Sequence, residues 1–403
     1  MGIDKGLLIE SIRLGFRALK KPDSAWWLED QYYKTGLLKK TEVKNALAEV
    51  CEIYNDQWIS REKNVFYHPL IVYGFPLIQG TRTLNYLIEL GSDLNITKKA
   101  HLLRKSDINR LEDPTQYLGI RFELFILARL VDLQFSIERE PPSGKGNKKA
   151  DLLVRKDGES IFIELKHLSV SRKNKEAFHF QDVVLKDIIS QTGGVSADLD
   201  FNLSDNIKIK AKTSEGVQGL LDSQKEIVRK IVDHIMTSYG KEDWGHHIVP
   251  GFAEYDLCPS AQNQIGGQRV FSGLPISQES EVQKIFQKAI EEAAGQLPEN
   301  QRGIVVINTP FPIDALMVEE RLSSVSNPEH FKHICAVILF FVLTDGSSGQ
   351  LRYDVTLAKN PHSLYSPGEF KVIRDILSLG SNDLNKFISA TLNEAHFPHP
   401  LND

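Results

Sequence analysis

From Leu7 to about Arg110, apolar residues recur at three- and four-residue spacing: Leu7, Leu8, Ile12, Leu14 and Leu19, then Val43, Leu47 and Val50, then Leu84, Leu87 and Ile88. That period places side chains on one face of an α-helix, and strand-like alternation is sparse over the same stretch. Residues 1–112 are therefore expected to form an α-helical N-terminal region. A second regime opens at Asp113-Pro114, where Asp113 or Thr115 can cap a helix from about Gln116 to Leu133, with Ile120, Leu124, Leu127, Ala128 and Val131 on one face. Three short runs rich in Val, Ile, Leu and Phe follow: Gln134 to Glu138, Ala150 to Arg155 and Ser160 to Leu165. The last two are joined by Lys156-Asp157-Gly158-Glu159, and Asp-Gly between such runs is a strong hairpin signal, so they should pair antiparallel.

Beyond Lys166 the pattern predicts a helix from about Phe180 to Ser190, an irregular polar stretch and a long helix from about Val217 to Tyr239. A strand (Ile248 to Tyr255), a helix (Glu279 to Gln296) and strands over Gly303 to Asn308, Ile334 to Leu343 and Leu351 to Leu357 complete it. Mixed helices and strands place the chain in the α/β class, with one α/β domain over residues 113–403 interrupted by insertions near 192–216 and 258–278.

Composition narrows the classes. With 41% hydrophobic and 25% charged residues the chain has ordinary globular make-up, which excludes disorder, collagen-like repeats and coiled coil as the dominant state. The longest apolar run, Ile334 to Leu343, is ten residues, about half of what a membrane span needs, so no membrane partner is expected. Met1 to Gly6 lacks the order of a secretory signal, and the three cysteines, Cys51, Cys258 and Cys335, are too few and too scattered for a disulfide framework. A cytoplasmic protein with reduced thiols is expected.

Charge is unevenly placed: residues 1–175 sum to +6 and residues 176–403 to −11. Arg139 to Lys175 holds ten Lys/Arg against five Asp/Glu, an excess that can attract phosphates, with Lys145, Lys148, Lys149, Arg172, Lys173 and Lys175 as candidate nucleic-acid contacts. The plain alternative is a solvated, lysine-rich loop.

The candidate chemistry lies between those basic segments. Glu164 and Lys166 point the same way from one strand while Leu165 enters the opposite side. With Asp157 and Gly158 as the central turn residues, Asp151 and Glu164 lie equally far from the turn and face each other, so their oxygens can approach one cation. Glu123 stands in an otherwise apolar helical stretch, Phe122 to Leu127. Two carboxylates holding Mg²⁺ and an ammonium beside them are what phosphodiester hydrolysis requires: the cation polarises the phosphoryl group and activates water, and the lysine positions that water or neutralises developing charge.

A helix followed by a three-strand meander, with Asp151 on the second strand and Glu164-Leu165-Lys166 on the third, resembles the PD-(D/E)XK nuclease superfamily over about residues 116–166. Ala150 stands where the proline that names the motif is expected. The resemblance implies a restriction-endonuclease-like mixed sheet flanked by helices and Mg²⁺-dependent (or Mn²⁺-dependent) cleavage of nucleic acid, DNA favoured over RNA. It further implies Asp151, Glu164 and the Leu165 carbonyl as metal ligands, Lys166 as the residue that orients water, and Glu123 as a supporting or second-metal group. The N-terminal region would then serve nucleic-acid contacts, a partner protein or a second copy of the chain. The rival reading is a non-catalytic nucleic-acid-binding or scaffold protein retaining the fold, which has no need of the full set Asp151, Glu164 and Lys166.

Two further Glu-x-Lys tripeptides read as structural. Glu42-Val43-Lys44 lies in a helical pattern with its charges on a solvated face, and Glu369-Phe370-Lys371 follows Pro367-Gly368 at the opening of a helix. His330 and His333 with Cys335, and His396 with His399, have ligand-capable side chains but lack a second matched pair, so zinc is not expected. His179, His246 and His247 read as surface or core residues. Phosphate-loop, dinucleotide, zincin and nucleophile-elbow motifs are missing.

Overall fold

The computed structural model describes residues 5–20, 40–61, 68–74, 84–144, 146–192, 195, 197–211, 213–259, 269–272, 277–344, 351–367 and 370–378. Its strands are β1 (Ser136–Arg139), β2 (Leu152–Lys156), β3 (Glu159–His167), β4 (Ala197–Leu203), β5 (Gly245–Val249), β6 (Ala253–Pro259), β7 (Arg269–Ser272), β8 (Gly303–Thr309), β9 (Ile334–Thr344) and β10 (Leu351–Lys359). Contacts divide the chain into two compact units, one built from Met1–Leu168 with Ile285–Ser381 and the other from Ser169–Lys284. The helices before residue 112 thus share a unit with β1–β3. Residues 192–216, and the described part of 258–278, fall in the second unit.

In the first unit a six-stranded mixed sheet runs in the order β1-β2-β3-β8-β9-β10. β1, β2 and β3 form the expected antiparallel meander. Its turn works because Asp157 (φ 53°) and Gly158 (φ 83°) both take the left-handed conformation, which matches the twist of the flanking strands. β8 is parallel to β3 and to β9, and β10 closes the edge antiparallel to β9. β8 is apolar and buried along nearly its whole length, as a central parallel strand covered on both faces must be.

The helix Tyr117–Asp132 packs its apolar face on this sheet. Phe122 and Phe125 meet Phe340 of β9 edge-on, at centroid distances of 5.7 and 6.1 Å, and Phe125 stacks on Tyr353 of β10 at 4.2 Å. The N-terminal helices Lys40–Ile53 and Leu84–Lys99 join the same core through Val43, Leu47, Val50, Leu87, Leu90 and Leu94. A buried charge network ties them on. Asp93, fully buried, takes Arg121 at 2.6 Å and Arg129 at 2.7 Å, while Arg121 and the Tyr353 hydroxyl both reach Glu89.

In the second unit a four-stranded sheet, order β5-β6-β4-β7, shares a core with the helices Arg172–Gln191, Asp205–Lys210, Ser214–Asp222 and Gln224–Gly240. Phe180, Val184 and Ile188 meet Ile227, Ile231 and Ile235 and the strand residues Leu199, Phe201, Tyr255 and Leu257 in that core.

Several element boundaries differ from the sequence reading. The polar stretch after Gln191 contains β4, whose alternation hides behind Asp198, Asp200 and Asn202 on its more exposed face. The single strand expected over Ile248 to Tyr255 is a hairpin of β5 and β6, because Pro250-Gly251, with Gly251 at φ 79°, turns the chain back. The expected long helix after Val217 breaks at Ser223, whose hydroxyl donates to the Gly219 carbonyl and competes with the backbone ladder. The helix expected over Glu279 to Gln296 contains a π-helical turn, Phe286–Ile290. The helix expected from Phe180 begins earlier, at Arg172, capped by the Ser171 hydroxyl. The helix after Pro367 spans Lys371–Leu377, and Glu369 lies outside the described residues.

Gly91 marks the closest approach of two N-terminal helices: a Cβ there would lie 1.9 Å from the Ala46 carbonyl oxygen. Gly91→Ala is expected to destabilise the protein by about 1–3 kcal/mol through overpacking. Gly219→Ala, in a helix with open space around it, is expected to stabilise by about 0.5–1 kcal/mol. Urea unfolding of the two variants beside the parent checks both signs.

Candidate active site

β3 carries the candidate chemistry as a consequence of its period. Glu164 and Lys166, two residues apart, are joined by a 2.9 Å ion pair from Lys166 Nζ to Glu164 Oε1. Leu165 between them faces the apolar core. Glu164 is only 1% exposed, and its second oxygen, Oε2, is buried with no hydrogen-bond partner. Such an oxygen is costly to bury unless a donor or a cation completes it.

Asp151 sits immediately before β2, one step beyond the last register pair of the hairpin, Leu152 with Ile163. Extending that register by one residue puts it opposite Glu164, as its equal distance from the turn predicts. Its carboxylate turns toward β3: the Leu165 N–H donates to Asp151 Oδ2 at 2.7 Å. The backbone group of Leu165 that meets Asp151 is thus its N–H, whereas the sequence reading assigned its carbonyl to the metal.

Charge and burial act together here. Burial, reinforced by the negative charge of Asp151, pushes the Glu164 carboxyl up to about 7, although Lys166 and the Asp151 backbone N–H oppose the rise. Burial also raises Asp151, opposed by the Leu165 N–H and reinforced by Glu123. Together the two carboxyl groups offer hard oxygen donors of the kind Mg²⁺ and Mn²⁺ take.

Sequence reasoning misses several groups around this cluster. Gln296, at the end of the helix Glu291–Gln296, accepts from Lys166 Nζ through Oε1 at 2.9 Å, a second partner for the ammonium besides Glu164. No local signal marks it, because 130 residues separate the two in sequence. Arg110, on the helix Lys105–Glu112, forks onto both oxygens of Glu123 at 2.8 and 2.5 Å. Arg139 of β1 lies 4.0 Å from the same carboxylate and is paired with Asp107.

The basic residues expected to meet phosphates have intramolecular partners. Lys148 donates to the Gly295 carbonyl at 3.1 Å, Lys149 pairs with Glu140, Arg172 with Glu176, and Lys173 donates to Ser277 Oγ. Lys175 is exposed, and Lys145 lies outside the described residues. Lys148 and Lys149 belong to one compact unit, and Arg172, Lys173 and Lys175 to the other.

Among the described residues no three His, Cys, Asp or Glu side chains converge as a metal site, so an ion on Asp151 and Glu164 would need backbone oxygen or water as well. His333 and Cys335 are buried, and burial pushes the Cys335 thiol up to about 11, far from a ready thiolate ligand. His396 and His399 lie outside the described residues. His179 is exposed, His246 pairs with Asp256, and His247 stacks on Tyr255 at 5.0 Å. No described helix is long and apolar enough to cross a membrane. No protein-family model, curated protein or solved structure matches this chain.

The raised Glu164 carboxyl predicts a pH dependence. A carboxyl whose folded pKa exceeds its unfolded value binds more protons in the native state, so without metal this group costs stability as pH rises from about 4.5 to about 7. In EDTA the melting temperature of the parent should fall relative to that of Glu164→Gln between pH 5 and pH 8. Mn²⁺ should raise the parent's melting temperature at pH 8 and leave that of the variant unmoved.

Proposed function

We propose that this chain is a metal-dependent nuclease hydrolysing phosphodiester bonds, with DNA as the favoured substrate and Mg²⁺ or Mn²⁺ as cofactor. The observation that carries the reading is the buried, unpaired Oε2 of Glu164, held beside Lys166 and opposite Asp151 at the end of the meander. Asp151 and Glu164 would hold the cation. Once bound, it would polarise the phosphoryl group and lower the pKa of water in the site. Lys166, fixed between Glu164 and Gln296, has an ammonium positioned to orient the attacking water and to offset charge on the phosphate as it becomes pentacovalent. The preference for DNA rests on the family resemblance.

Supercoiled and linear DNA incubated with the purified protein in Mg²⁺, Mn²⁺ or EDTA tests the reading. Cleavage should require the divalent ion, and Asp151→Asn, Glu164→Gln and Lys166→Ala should each lower it by 100-fold or more (~3 kcal/mol or more of transition-state stabilisation). DNA binding in Ca²⁺ without cleavage under any condition would favour a scaffold that retains the fold. Full activity in Asp151→Asn would move the metal elsewhere.

A further inference from the structure

The two helix- and strand-borne carboxylates of the site are not equivalent. Glu164 keeps one buried oxygen unpaired, whereas both oxygens of Glu123 are taken by the two terminal nitrogens of Arg110. A bidentate guanidinium–carboxylate pair is among the stronger charge-assisted contacts a protein makes, and its planar geometry fixes both partners. Arg110 is further held by the field of its surroundings: the charges acting on it are those of Glu123, Asp107 and Asp151. One permanent cation belonging to the chain is therefore fixed on Glu123, and Arg139, 4.0 Å from the same carboxylate, stands on β1 opposite Leu152, the residue next to the proposed metal ligand Asp151.

A metal on Glu123 would have to use the lone-pair directions that Arg110 leaves on oxygens already bound to a guanidinium, placing the ion against a fixed positive charge. The incoming ion would carry two positive charges into the space next to a guanidinium that cannot lose its own. Glu164 faces no such competition at Oε2. Arg139, paired with Asp107, adds a second guanidinium 4.0 Å from Glu123.

Resting on the nuclease reading, we propose that Arg110 takes the place of a second divalent cation: the site binds one ion, on Asp151 and Glu164, and Glu123 anchors Arg110 rather than ligating metal. The guanidinium then supplies, from the N-terminal helical region, the fixed positive charge that a second ion would bring to the phosphate. The reaction becomes first order in metal.

The test counts Mn²⁺ bound to the full-length protein by electron paramagnetic resonance of the free ion. The parent should bind one Mn²⁺ per chain at this site, and Glu123→Gln, which keeps a hydrogen bond to Arg110, should still bind one. Arg110→Met should gain a second Mn²⁺, and Arg110→Met/Glu123→Gln should lose it again. Two Mn²⁺ in the parent, with one lost in Glu123→Gln, would overturn the inference and leave the nuclease reading standing. One Mn²⁺ in both the parent and a folded Arg110→Met would overturn the assignment to Arg110. Where Arg110→Met does not fold, the parent and Glu123→Gln decide the matter between them. No Mn²⁺ bound to the parent would overturn the nuclease reading itself.

Discussion

Burying the Glu164 carboxylate almost completely, at the end of a strand whose neighbours are apolar, sets the conditions for everything around it. A charge in that position costs several kcal/mol unless it is paired and hydrogen-bonded. The fold supplies part of the compensation: Lys166 on one oxygen, Gln296 holding Lys166, and the Leu165 N–H directing Asp151 toward the same end of β3. It leaves Oε2 without a partner. On the proposed nuclease reading, that oxygen is where the cation would complete the shell.

The N-terminal helices belong to this arrangement and do more than precede it. Asp93 draws Arg121 and Arg129 onto the helix Leu84–Lys99, which fixes the helix that carries Glu123. Asp107 holds Arg139 of β1, and Arg110, one helical turn further on, holds Glu123. Segments the sequence reading separates at residue 112 are thus joined by charge pairs at the carboxylate cluster and by a common apolar core. Arg110 from this region, Arg139 of β1 and Lys166 of β3 bring positive charge to these carboxylates, which makes the local potential less acidic than the carboxylates would give alone.

How much of this could be read from the chain depended on the range of the physics involved. The meander was legible because its information is local: Asp157-Gly158 adopts the left-handed turn that its residue types favour, and a strand's period of two places Glu164 and Lys166 on one face. The opposition of Asp151 and Glu164 followed from counting residues away from that turn. β4 was obscured by the polar residues on its more exposed face, and the β5–β6 hairpin by reading through Pro250-Gly251. Gln296 and Arg110 were out of reach for a different reason. Their roles arise when separate elements meet, and a solvent-exposed helix and a catalytic one can carry the same short polar pattern.

The central claim, that Asp151 and Glu164 share a divalent cation, is tested most directly by crystals of the protein soaked in Mn²⁺ and measured at the manganese absorption edge. The account predicts an anomalous peak within coordination distance, about 2.0–2.3 Å, of Asp151 and of Glu164 Oε2, with Glu123 still forked to Arg110. Crystals that take up Mn²⁺ elsewhere, or show no peak between these carboxylates while both remain ordered, would contradict it.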